Sequence, residues 1–329
     1  MFRFFRSYHT PVIITILLIG ILTWLHLLGE AASIAFVKYD AFMFRALNGW
    51  LVMMSGAHVW LGLFLFLLTA ILLVFTNARL HLTEKISYLP ALCYVLLIGG
   101  VPEIHLFNPV VIATILLITG FIILAEAFKS ERLSYNFFTA SAFISFATFF
   151  YQYMYVYMLV VWLAIALWRP VYWREWVFSV LGFALPLFFA FSWFFLVEDD
   201  LTRMGAFFNE IFTIQWVAPS LSTSTIIFFT LSIAVCVLTF RHLLRYISSK
   251  KVIIRTRYYV LILIGGITIC MAFVVPDMIP QAWYLLAFPL SFIISGYLSN
   301  IKSVRWGTVV LTILFVGVMV AQAIFLSTG

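Results

Sequence analysis

Long apolar runs separated by short polar loops make up nearly all of this chain. About 18 or more apolar residues can cross a hydrocarbon core of roughly 30 Å as a helix. The pattern predicts membrane segments over 11–28, 52–75, 110–127, 177–197, 224–240, 258–275, 282–298 and 306–325, with a shorter one over 88–101 that ends at Gly99-Gly100.

One stretch has the wrong length. Residues 136–168 are uncharged and apolar, which as one helix would extend roughly 50 Å. Split at the polar-aromatic centre Tyr151-Gln152-Tyr153, they give two arms of roughly 22 Å each, short of a full crossing.

Charge decides between the two. With the stretch as a hairpin, only Lys38, Arg45 and Arg203 of the nineteen Lys and Arg residues fall outside the cytoplasm. As one span it inverts every later loop, and twelve of the nineteen then lie outside, including the basic run from Arg241 to Arg257. Short loops follow the positive-inside rule, so the hairpin is expected. The fold class that follows is all-α: a polytopic integral membrane protein of about eleven spanning or partly spanning helices. Its N-terminus is then cytoplasmic and its C-terminus periplasmic, and residues 1–329 form a single transmembrane domain.

Composition agrees with this class. The chain is 65% hydrophobic and 9% charged, more apolar than a soluble domain requires. The net charge of +7 lies in short loops, where it orients the chain, so no nucleic-acid partner is expected. Cys93, Cys236 and Cys270 sit inside apolar runs, spaced neither as a disulfide framework nor as metal ligands. Arg3 and Arg6 ahead of the first run, with Ala31 to Ala35 after it, imitate a cleavable leader. A run of about 18 residues is long enough to be retained as a span. Residues 33–50 and 204–220 carry apolar positions at helical spacing, as interfacial helices do.

Acids are lopsided in the opposite sense, with eight of twelve in the external loops. Their plain role is to solvate loop ends. Their chemical role would be an external site in which Glu30, Asp40 and Glu103 act as base or metal ligand, with room for a divalent cation and no other cofactor. Arg45 and Arg203, against the charge bias, would hold a phosphate or diphosphate, or simply pair with nearby acids. The cluster Glu198-Asp199-Asp200 is of the kind that caps a helix. His26, His58 and His105 could converge outside, yet no HxxxH or HxxEH spacing marks a metal site. Tyr151, Tyr153 and Tyr155 at the hairpin tip are either belt and packing residues or the wall of a recessed cavity for a lipid tail or sugar face. No Asp, Glu, Lys or Arg lies mid-span, whereas most ion-coupled transporters carry intramembrane ionisable groups. P-loop, dinucleotide and GxSxG signatures are absent from the sequence.

The stretch NFFTASAFISFATFFYQYMYVYMLVVWLAIALWRPVYWREW, followed by Gly182 and Pro186, resembles an uncharacterised family of polytopic membrane proteins found mainly in Bacteroidota. That resemblance implies no activity. An acid-bearing first external loop (Glu30, Asp40), a later external acid (Glu103) and partly spanning helices also resemble the C-type membrane glycosyltransferases, which use polyprenyl-phosphate-linked sugars. The chain departs from those in its short first loop and in lacking a tight acid pair. The resemblance implies a bacterial inner-membrane protein of the cell envelope, handling a polyprenyl-phosphate-linked sugar or lipid at the periplasmic face. The alternatives are a non-catalytic scaffold that partners other envelope membrane proteins, and a transporter.

Overall fold

The computed structural model describes residues 2–5, 9–25, 57–83, 87–105, 107–128, 133–168, 172–193, 195–196, 205, 221–248, 250–275, 279–301 and 303–328. Glu30, Asp40, Arg45, Arg203, His26, the Glu198 cluster and both expected interfacial helices lie outside them.

After a four-residue turn at Phe2–Phe5, the described residues form eleven α-helices. These are α1 (Thr10–Thr23), α2 (Ala57–Leu80), α3 (Leu89–Gly99), α4 (Pro109–Ala127), α5 (Leu133–Thr148), α6 (Met158–Trp168), α7 (Trp173–Trp193), α8 (Thr223–Ser248), α9 (Val252–Val274), α10 (Ile279–Asn300) and α11 (Val304–Thr328). Seven of them (α2, α4 and α7 to α11) are long and apolar enough to cross a membrane. The protein is an all-α, multi-pass membrane protein.

The overlong stretch breaks where its aromatic residues crowd together. The Thr148 hydroxyl donates to the Ser145 carbonyl at 2.6 Å, the carbonyl that Phe149 N–H would use in a continuing helix. Phe149 N–H turns instead to Phe146, three residues back, and the last turn tightens. Tyr151 is extended, a 3-10 turn runs over Gln152–Tyr157, and α6 follows. At 1.5 Å per residue α5 is about 24 Å long and α6 about 17 Å, so neither crosses alone. The tip is tied to α9, where the Tyr157 and Thr268 hydroxyls lie 2.6 Å apart. Thr268 stands six residues before the end of α9, so the tip is recessed by roughly 9 Å. On the hairpin's flank α7 lies close against α5: a Cβ on Gly182 would meet the Phe138 carbonyl oxygen at 2.2 Å. Close by, Ser145 donates to the Phe183 carbonyl at 2.7 Å, beside the backbone position that Pro186 leaves without a donor.

Long-range hydrogen bonds sort the helix ends into two groups. At one end, the buried Arg257 of α9 donates to the carbonyls of Leu80 and Ala125, at the C-termini of α2 and α4. Beside it Arg79 forms a two-pronged ion pair with Glu126, and Tyr258 donates to the Leu82 carbonyl. At the other end Glu103, between α3 and α4, accepts from Ser222 at the start of α8. The end of α4 and the start of α9 thus share the basic end, while the start of α8 lies opposite. A stretch 136–168 that crossed once would put the start of α8 at the basic end. The hairpin is therefore built into the connectivity.

The second span continues to Leu80, five residues beyond the end that the hydrophobic pattern suggests. Thr76-Asn77-Ala78-Arg79 reads as a loop by polarity, yet Asn77 is buried in the last turn of α2. Its amide donates to the Ser87 carbonyl at 3.2 Å, and its side-chain oxygen accepts from the backbone and hydroxyl of Thr83. The helix ends at His81, whose φ of 47° is the left-handed conformation common just past a helix end.

All eleven residues of α3 are buried, and α10, α2, α1 and α11 surround it. At about 16 Å it reaches only halfway through a bilayer. α7, in contrast, buries little of itself and turns Phe188, Phe189 and Trp193 outward.

Candidate functional site

A half-length helix ending inside a membrane body leaves its last four carbonyls without intrahelical partners. In hydrocarbon each must be satisfied by protein. In α3 all four are. Leu96 accepts from Gly100 N–H and Ile98 from Val101 N–H. Leu97 accepts from the Trp283 indole at 2.8 Å. Gly99 accepts from the Gln322 amide at 2.8 Å, and the same amide reaches the Thr23 carbonyl at 3.3 Å. His105 Nε2 lies 3.1 Å from the Ile98 carbonyl, and because a carbonyl only accepts, this nitrogen carries the proton.

The segment from Val101 to Asn108 returns the chain to α4. Pro102–Ile104 is a 3-10 turn, and the Ile104 carbonyl accepts from the Tyr284 hydroxyl at 2.6 Å. His105 is fully buried and stacks on Trp24, ring centroids 5.1 Å apart. Gly62 leaves the room for Trp24, since a Cβ there would meet the indole at 2.8 Å. His58 stands 6.3 Å from the Phe107 ring, which brings two of the three candidate histidines to one loop. Asn108 caps α4 by accepting from Val110 N–H.

Glu103 is half-buried, and its Oε1 accepts from the Ser222 backbone N–H at 2.8 Å. The Ser222 hydroxyl in turn accepts from Thr225 N–H at 3.3 Å. The carboxylate therefore sits at the positive end of α8, where a negative charge is favoured. Of the proposed catalytic acids, this is the one within the described residues. Among those residues no group of three His, Cys, Asp or Glu side chains could hold a metal ion.

The tip tyrosines are embedded in protein. Tyr151 and Tyr153 are buried in the main core with rings edge to face at 5.7 Å. Tyr155 is half-buried against Phe149, Leu187 and Ala190, between the tip and α7.

Open volume lies on both sides of α8. A groove of about 590 Å³ runs between α8, α9 and α10 from Trp283 to Ile293, and carries no charged residue. A second, of about 680 Å³, lies between α8 and α11 and is lined by the stripe from Arg305 to Val320. Both sizes suit a ligand. Both grooves meet the α3 cap. Trp283 lines the first while holding Leu97. Phe228 lines the second with its ring over Gly100, where a Cβ would be 2.2 Å away.

Comparison with protein-family models, with curated proteins and with solved structures finds no match for this chain.

Trp283, Tyr284, Gln322 and Ser222 are not marked as site residues by sequence reasoning. Gln322 had a signal, as a lone amide inside the last apolar run. Trp283 and Tyr284 had none, because aromatic residues near a span end are ordinary.

Proposed function

We propose that this membrane protein handles a lipid with a phosphate-linked head group at the end of the bundle that holds Glu103. The lipid's apolar chain would lie in the groove between α8, α9 and α10. The observation carrying this reading is the double role of Trp283, whose ring walls the groove while its N–H caps α3. A long apolar chain bound there brings its head group to the recessed loop that bears Glu103 and His105. A polyprenyl-phosphate-linked sugar in the inner membrane of a bacterial envelope fits this shape, with Arg45 or Arg203 on the phosphate. In its enzymatic form the reading adds Glu30 or Asp40 as base.

Gly266 offers the test. It lines the groove and has no atom within 4 Å of where a Cβ would stand, so Gly266→Trp fills the groove without displacing protein. Protein purified in mild detergent is expected to carry a polyprenyl-phosphate lipid visible by mass spectrometry. The Gly266→Trp variant is expected to lose it. Equal lipid content in both would sink the proposal. A deletion strain that accumulates a polyprenyl-linked sugar would support the enzymatic form.

A scaffold reading draws on α7, which packs mainly on the α5 arm and presents an apolar outer face. Stable co-purification with an envelope membrane protein, abolished by polar substitutions at Phe188 and Phe189, would favour it. A transporter reading has less support. Half-helix C-termini in transporters coordinate ions through free carbonyls, and here those carbonyls are held by Trp283, His105 and Gln322.

A further inference from the structure

The groove between α8 and α11 has a chemistry the proposed function does not use. Its wall on α11 runs from Arg305 to Val320, roughly 22 Å at 1.5 Å per residue, which approaches the depth of one leaflet and the middle of the bilayer. Ile227, Phe228 and Leu231 of α8 form the facing wall. Gln322 places the C-terminal part of α11 at the Glu103 end, so Arg305, in its first turn, lies at the basic end. Arg305 is exposed, is the only charged residue lining the groove, and has no ion-pair partner among the described residues.

Apolar walls cannot choose one lipid over another, because lipid tails are as apolar as the side chains that meet them. A single cation at the rim can. Guanidinium presents paired donors that match two phosphate oxygens, and a cation at the membrane surface adds about 1 kcal/mol toward an anionic head group. We propose that this groove is a binding site for an anionic phospholipid of the leaflet at the basic end. The phosphate sits on Arg305 and one acyl chain follows the α11 stripe toward Gly317. The site is separate from the groove of the proposed function in wall, end and lipid, so either can fail without the other.

Native mass spectrometry of the full-length protein, with phosphatidylglycerol or phosphatidylcholine titrated into detergent, tests this. The wild type is expected to retain phosphatidylglycerol in preference. Arg305→Ala is expected to lower that preference roughly fivefold, the effect of one interfacial cation, and Arg305→Lys to keep part of it. Val316→Trp, which fills the groove and leaves Arg305 in place, is expected to lose the bound lipid. Lys251→Ala removes an exposed charge at the same end and is expected to change nothing. Monodisperse elution of each variant checks folding. Three results would overturn the proposal: no head-group preference in the wild type, a Lys251→Ala effect equal to that of Arg305→Ala, or a dimer whose formation excludes the lipid and is lost in Val316→Trp.

Discussion

The Glu103 carboxylate accepts a hydrogen bond from the Ser222 backbone N–H at 2.8 Å, joining segments 119 positions apart in the chain. A group that sequence reasoning marks as a candidate base is also the cap of a membrane helix. The two roles separate by substitution. Glu103→Gln keeps a side-chain oxygen that can accept, so stability is expected to stay within about 0.5 kcal/mol, while Glu103→Ala costs about 1 kcal/mol, the usual loss for a helix cap. Denaturation in mixed micelles measures both. If Glu103 also acts in chemistry, Glu103→Gln is expected to abolish function in a deletion strain despite its unchanged stability.

Gln322 spans two helix ends, with its amide shared by the Gly99 and Thr23 carbonyls. Gln322→Leu is similar in size and removes the donor. The expected loss is about 1–2 kcal/mol, the cost of leaving a buried carbonyl unpaired. Gln322→Glu is expected to lose at least as much, since a carboxylate facing carbonyls repels them. Stability intact in both variants would show that the cap of α3 does not depend on α11.

Arg257 is a buried cation whose partners are helix-end carbonyls. It joins the C-termini of α2 and α4, the negative ends of their dipoles. Arg257→Leu is expected to destabilise by about 2 kcal/mol or more, and Arg257→Lys by less, because one ammonium cannot reach both carbonyls with the spread of a guanidinium. The ion pair of Arg79 with Glu126 is half-exposed, so Arg79→Ala is expected to change stability by less than about 1 kcal/mol. Parallel unfolding curves rank the three, and a larger effect at Arg79 than at Arg257 would reverse this account.

Sidedness can be read by labelling. In a background with Cys93, Cys236 and Cys270 replaced, Tyr172→Cys and Lys251→Cys, both exposed, are expected to react with a membrane-impermeant maleimide only after permeabilisation. Ser327→Cys, exposed at the opposite end, is expected to react in intact cells. In the same background His81→Cys, exposed before the stretch, and Tyr172→Cys, exposed after it, report the hairpin directly: the two on different sides would contradict it, whichever way the protein is inserted.

Much of the architecture was legible because it depends on local quantities. Segment length against bilayer thickness identifies the spans, and the cation count per loop identifies 136–168 as a hairpin. Glu103 and His105 stood out because they are polar residues in an apolar neighbourhood. The cap of α3 was not legible. Its donors Trp283 and Gln322 lie 186 and 223 positions from the carbonyls they hold, and no local pattern records which distant residue will face an orphaned carbonyl. Asn77 shows the same limit at short range: polarity alone reads it as loop, while its bonds to Thr83 and Ser87 keep it inside the helix.

Residues 136–168 turn back rather than cross once, on the charge of the loops in the sequence and on the hydrogen-bond connectivity of the fold, and the two agree. What only the tertiary structure decided is where polar chemistry is possible. The hairpin tip is packed with its own tyrosines, while the open volume flanks α8. Hydrophobicity sets that a segment must be buried in membrane or protein. Only packing of distant segments decides which gaps remain, because lipid and side chain are equally good neighbours for an apolar face.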